Sequence, residues 1–294
     1  MHIFFSGIGG AGIGPLALIA HQAGFTVSGS DKQDSGYIDY LRSKGLSTIG
    51  IGQTEQAISA LHAKNPIDWF VYSSALPMEN PAHPELVFCQ QQNIKLSKRD
   101  EFINLLLTEK GLKMVAIAGT HGKTTTTAMV VWLFKQMGVP VSYSVGAKLS
   151  YGDMGEYVEG SQYFIYEADE YDRNFLSFSP ALSLITGIDW DHPDVYPTRD
   201  DYYTAFQQFI GQSTKTVAWL DDLERIGLTK SDAIFALHKK SENAARLKLL
   251  GEVNRQDGWL ALNAVNELIH RTIPDLIREL ERFPGLSRRF EKIT

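Results

Sequence analysis

Cysteine is nearly absent from this chain. Cys89 stands alone among 294 residues, so no internal disulfide framework is possible. A reducing compartment and a small core side chain are the expectations for it. Long apolar runs are also missing, and none approaches the roughly 20 residues that cross a bilayer. Met1 to Phe5 run straight into glycines, with no basic leader and no cleavage site, so the cytoplasm is the expected location. There is no cationic excess: the formal net charge of -6 argues against a nucleic-acid partner held by phosphate neutralisation. No Ser/His/Asp or Cys/His arrangement suggests a nucleophilic side chain. Internal repeats and low-complexity segments are absent. What remains is ordinary globular material, 44% hydrophobic and 21% charged, enough for one large or two ordinary domains.

Short apolar runs alternate with helical stretches. Residues 3–6 read as a buried strand, 12–24 as a helix and 25–29 as a second strand, with further strands near 47–49 and 68–72. Residues 77–84 read as a proline-rich loop, 85–92 as a short helix, 93–96 as extended and 98–107 as helical. Residues 108–113 read as the join to a second domain. There, strands are expected at 114–118, 141–145, 163–166, 181–186 and 216–220. Helices are expected at 126–137, 199–211, 259–271 and 273–282. Residues 221–250 give the least legible pattern. Alternation of this kind implies α/β architecture, a parallel sheet with helices on its faces.

The most informative segment is Gly119-Thr120-His121-Gly122-Lys123-Thr124-Thr125, set between the apolar strand and a helix. A glycine turn at a helix N-terminus points backbone N–H groups at anionic oxygen. Lys123 adds a full positive charge, and the Thr124 hydroxyl suits a magnesium ion. Two residues, not four, separate the glycines, so this is a compact variant of the nucleotide phosphate loop. A mere turn with an exposed lysine would leave the threonine run, made of indifferent helix formers, without a purpose.

A second glycine cluster, Gly7, Gly9, Gly10, Ala11 and Gly12, follows the first strand, and Asp31 ends the second. By itself this is a dinucleotide fingerprint with an acid for a ribose. The physical content is broader, since such a turn accepts any pyrophosphate. A nicotinamide-dependent oxidoreductase is one reading and a sugar-nucleotide site another. The first would give the lysine-bearing loop no role.

Glu167-Ala168-Asp169-Glu170 follows an apolar strand, where a magnesium ligand belongs beside a phosphate loop. Glu167 is the best placed. Asp169, Glu170 and Asp172 read better as solvated loop charges than as direct ligands. His192, in Asp191-His192-Pro193 beyond another strand, is a candidate second metal ligand.

Together these segments resemble, in order, the Mur ligase family, which builds the peptidoglycan stem peptide. The carriers are the N-terminal glycines with Gly29-Ser30-Asp31, Tyr72-Ser73-Ser74-Ala75-Leu76 with Asn80-Pro81, the lysine loop, Glu167 to Glu170 with Asp191-His192, and Gly285-Leu286-Ser287-Arg288-Arg289-Phe290-Glu291. The resemblance implies an N-terminal Rossmann-like domain over 1–108 that binds a UDP-sugar, and a central P-loop ATPase-like α/β domain over 109–294. It implies a UDP-sugar site at Gly7, Gly9, Gly10, Ala11, Gly12, Asp31, Ser73 and Ser74. ATP would be held at Gly119 to Thr125, Asn254 and Arg289, with Arg288 the alternative arginine. Two magnesium ions would rest on Thr124, Glu167 and His192. The implied catalytic set is Lys123, Glu167, His192 and Arg289. The implied chemistry is ATP-dependent amide formation at the carboxylate of UDP-N-acetylmuramate, through an acyl phosphate, with L-alanine or an intact tripeptide as the amine. A non-catalytic nucleotide-binding relative is the other outcome.

Two departures from the family pattern stand out. The adenine-side motif usually reads Gly-x-His-Asn with a second asparagine three positions on. Here it reads Gly251-Glu252-Val253-Asn254, with Asp257 three positions later. The family also carries a C-terminal domain for the incoming amino acid. The chain ends soon after the arginine motif, so by itself it is expected to bind the UDP-sugar but to ligate poorly.

Overall fold

The computed structural model describes residues 1–286. The chain divides into two compact units: Met1–Lys110 with Gly155–Glu159, and Gly111–Met154 with the residues from Gly160 onward. The short excursion of 155–159 to the first unit carries no signal in the sequence.

In the first unit five strands lie in the order Ile49–Ile51, Thr26–Asp31, His2–Ser6, Trp69–Tyr72 and Lys95–Lys98, all parallel. The central strand, HIFFS, is buried at every position, as expected of a parallel strand covered on both faces. Helix Arg99–Lys110 covers one face through Phe102, which meets Phe5 edge-on with ring centroids 5.2 Å apart. Strand order reverses on either side of His2–Ser6, and a crevice at the strands' carboxyl ends is the usual ligand site of such a sheet. The first helix starts at Gly14, two residues later than the apolar pattern suggests, because Gly7 to Ile13 form the turn. The expected proline-rich loop contains a helical turn, Ala75–Glu79, begun by Ser74. Cys89 is a buried core thiol, and burial pushes its pKa up to about 12.

In the second unit six parallel strands neighbour one another in the order Ile234–Leu237, Thr216–Trp219, Leu182–Ile185, Lys113–Ala118, Tyr163–Glu167 and Ser142–Ser144. The central strand, Lys113–Ala118, carries the glycine loop. Helix Lys123–Gln136 follows it and packs against helix Glu252–Ile269. Val115, Ile117, Val130, Phe134, Leu260 and Val265 are all inaccessible and fill that layer. Helix Arg199–Gln212 begins at a reciprocal cap between Thr198 and Asp201. The illegible stretch holds helix Leu220–Arg225, the edge strand Ile234–Leu237 and the turn Glu242–Ala245. Among the described residues no helix is long and apolar enough to cross a membrane.

Candidate functional site

Each unit presents a glycine turn at the carboxyl end of its central strand. In the first unit Gly7, Gly9, Gly10, Asp31 and Ser73 line a cavity of about 360 Å³, together with Ser6, Lys32, Gln53 and Glu79. Gly7 has φ +79, and the Gly9 N–H donates to Asp31 Oδ2 at 2.8 Å. Asp31 therefore closes the turn onto the second strand, and one of its oxygens is already engaged. Ala11, Gly12 and Ser74 flank this cavity and do not line it. Arg99 reaches the turn, since a Cβ on Gly12 would stand 2.7 Å from its Nη1.

Sequence reasoning missed Arg99. It opens a helix directly after the strand Lys95–Lys98, and that position at a parallel strand's carboxyl end was the available signal. Gln53 was missed as well. It lines the cavity, is 6% exposed and has φ +48, and its amide donates to Ser6 Oγ at 2.9 Å. Ser6 in turn donates to buried Glu85 at 2.7 Å. Burial raises the Glu85 carboxyl above its usual range, with hydrogen bonds from Ser30 and Ser6 opposing.

In the second unit the loop is built by close backbone approach. Gly119 has φ +137, and a Cβ there would stand 2.8 Å from Gly187 N. Gly122 has φ +81, and its Cβ would stand 2.7 Å from Asp257 Oδ1. Thr120 joins the loop to the next strand end, since its N–H donates to Gly187 O at 3.0 Å and its hydroxyl to Asp189 O at 2.6 Å. The Thr186 hydroxyl donates to the carbonyl of His121, whose residue is exposed. No side chain caps helix Lys123–Gln136, so its first N–H groups face the loop, as an anion site requires.

The charged residues around this loop converge. Lys123 Nζ donates to Gly119 O at 2.7 Å and to both oxygens of Glu170 at 2.9 and 2.8 Å. The Thr124 hydroxyl donates to Glu167 Oε1 at 2.8 Å, and the Gly146 N–H to Glu167 Oε2 at 2.7 Å. His192 Nε2 lies 3.6 Å from Glu170 Oε1 and 3.8 Å from Asp191 Oδ2. Asp172, Arg173 and His192 have φ of 55, 56 and 56. Left-handed backbone at non-glycine residues is costly and marks sites that their surroundings hold in place.

Several expectations change here. Glu170 is not a solvated loop charge, because its side chain has no accessible surface. Burial raises its carboxyl, and the Lys123 ammonium opposes that. Asp257, which stands where the family usually has its second asparagine, lies buried against Gly122, and burial pushes its carboxyl up to about 7. Asn254 is exposed, and its amide donates to Leu250 O at 2.8 Å. Val253 is 63% exposed beside it. Arg288 and Arg289 lie outside the described residues. Among the described residues no three His, Cys, Asp or Glu side chains gather as a metal cage. Thr124 with Glu167 nevertheless offers the hard oxygen donors that suit magnesium, which takes one or two carboxylates and completes its shell with water and phosphate oxygens.

Known proteins resemble this chain in sequence and in fold. Residues 2–110 match the catalytic domain of the Mur ligase family, and residues 117–257 match the Mur ligase middle domain. The UDP-N-acetylmuramate–L-alanine ligase of Clostridium acetobutylicum is 39% identical over 235 residues, 79% of this chain and 48% of that protein. The corresponding ligase of Frankia casuarinae is 36% identical over 208 residues, 71% of this chain and 40% of that protein. The chain thus spans about half the length of these curated relatives. The solved UDP-N-acetylmuramate–alanine ligase of Thermotoga maritima superposes over 100% of this chain and 71% of its own, with TM-score 0.79 and 26% identity. The UDP-N-acetylmuramate:L-alanyl-γ-D-glutamyl-meso-diaminopimelate ligase of Neisseria meningitides shares the fold with TM-score 0.80, at 20% identity over 98% of this chain and 99% of its own. Two family domains, matched in the order in which the two glycine turns occur, place this chain in the Mur ligase family.

Proposed function

We propose that the intact protein carrying this chain joins L-alanine to the carboxylate of UDP-N-acetylmuramate, using ATP. The observation that carries the reading is the grouping of Lys123, Thr124, Glu167 and His192 around the second glycine turn, separate from the pyrophosphate-sized cavity of the first unit. A carboxylate and an ammonium group do not condense usefully in water, so the carboxylate is first phosphorylated by the ATP γ-phosphoryl group. The amine then attacks the acyl phosphate and phosphate leaves.

Bringing two anions together needs positive charge in a sheltered place. Lys123 and the open N–H groups of helix Lys123–Gln136 supply part of it. Thr124, Glu167 and His192 are the residues that would hold magnesium, and the bound ion would neutralise phosphate charge. The rest of the work is positioning. Gly119 and Gly122 let backbone come close to phosphate, and Thr120 ties that backbone to the strand end that bears His192. In the first unit the glycine turn, with Lys32 and Arg99 beside it, suits a pyrophosphate, and Ser73 suits the uridine side.

The test is phosphate release by the intact protein with ATP and UDP-N-acetylmuramate, offered L-alanine or the intact tripeptide. Release that depends on both the sugar nucleotide and L-alanine is expected. Release with the tripeptide alone would shift the reading to the recycling reaction. Release with neither would leave a nucleotide-binding relative.

A further inference from the structure

Glu170 has no part in the mechanism above, yet it is the most enclosed charge beside the loop. Its side chain has no accessible surface, and that of Lys123 is 17% exposed. An ammonium group has three donors. Those of Lys123 are directed at Glu170 Oε1, Glu170 Oε2 and Gly119 O, all within 2.9 Å. The lysine expected to meet phosphate is therefore fully engaged inside the protein.

The carboxylate is held in place from its own backbone. The Glu170 carbonyl accepts from the Tyr196 hydroxyl at 2.6 Å and from the Arg173 N–H at 3.1 Å. Tyr196 is inaccessible, and Arg173 sits in a left-handed turn. Across the same carboxylate, His192 Nε2 stands 3.6 Å from Oε1, on a residue that is itself left-handed. Two constrained segments thus hold one buried carboxylate between a lysine and a histidine.

We propose that Glu170 is a positioning residue with two successive partners, Lys123 before a polyphosphate arrives and His192 after. This rests on the nucleotide-binding reading of the loop. An incoming phosphate competes with Glu170 for the ammonium group and draws it away. A buried carboxylate left without a donor is costly. The Nε2–H of neutral His192 is the next donor at hand, and donation there fixes the tautomer and leaves the Nδ1 lone pair for a metal. The Lys123–Glu170 pair thereby makes occupation of the loop and the orientation of His192 one event.

The test is binding of a non-hydrolysable ATP analogue, without added metal, by calorimetry on this chain. Imidazole nitrogen NMR of His192 is followed in parallel. Glu170→Gln removes the competing charge in an isosteric side chain, and about tenfold tighter binding is expected, the size of one charge-assisted hydrogen bond. In the wild-type chain the analogue should shift His192 to the Nε2–H tautomer, and in Glu170→Ala it should not. A purely structural role would weaken binding or leave it unchanged. If the wild-type chain binds and Glu170→Gln binds no tighter, this inference alone fails. If the wild-type chain binds no analogue, the reading of the loop fails with it. Should Glu170→Ala not fold, the Glu170→Gln comparison still decides.

Discussion

Replacing Asp257 by asparagine isolates the cost of one buried acid at the second glycine turn. Asp257 is 5% exposed, and its Oδ1 lies where a Gly122 side chain would begin. Burial pushes its pKa from 3.8 up to about 7, with the neighbouring Thr126 hydroxyl acting in the opposite direction. The native state therefore keeps this proton until about pH 7, whereas the unfolded chain releases it near pH 4. Between those values the native state binds more protons, so stability falls as pH rises and the contribution is gone above about pH 7. A shift of about 3 units corresponds to about 4 kcal/mol. The asparagine side chain has the same shape and does not titrate. The Asp257→Asn protein should equal wild type at about pH 3, below both pKa values, and exceed it by up to about 4 kcal/mol at about pH 8.5. Chemical denaturation at the two pH values measures this. Tryptophan fluorescence is the suitable probe, because Trp132, Trp190, Trp219 and Trp259 lie in the second unit and only Trp69 in the first. A variant with the wild-type pH slope, or with no gain at alkaline pH, would refute the reasoning.

Four further outcomes follow from the same geometry. On the proposed function, Lys123→Ala should abolish ATP turnover by the intact protein while leaving UDP-sugar affinity within about twofold, since the two glycine turns lie in separate units; equal loss of both affinities in calorimetry would contradict this. The same variant strands a buried Glu170, so its second-unit denaturation midpoint should drop by the equivalent of about 3 kcal/mol. Gly119→Ala should remove ATP-analogue binding and destabilise by about 2 kcal/mol or more, because its methyl group meets Gly187 backbone and its φ is +137; wild-type binding would show that the loop can yield. Thr198→Ala should cost about 1 kcal/mol of stability by removing the cap of helix Arg199–Gln212, with ATP-analogue affinity unchanged.

The sequence by itself determined the local chemistry. Alternating apolar strands and helices specified parallel sheets. The central strand Lys113–Ala118 was legible because a strand buried on both faces must be apolar throughout. The placement of Lys123 and Thr124 at a glycine turn was legible because that turn directly follows a buried strand. Residues 221–250 were not legible, because their edge strand is only partly buried and carries exposed Phe235, so it lacks the pattern of a covered strand. Tertiary structure alone decided which charges are enclosed. Nothing in Glu167-Ala168-Asp169-Glu170 distinguishes the last carboxylate until Lys123 and His192 arrive from 47 and 22 residues away in the chain. Nothing in Gly251 to Asp257 reveals a buried acid until helix Glu252–Ile269 packs on helix Lys123–Gln136. A side chain's type fixes what it can donate or accept, whereas its exposure and its partners, and hence its charge state, are properties of the packed chain.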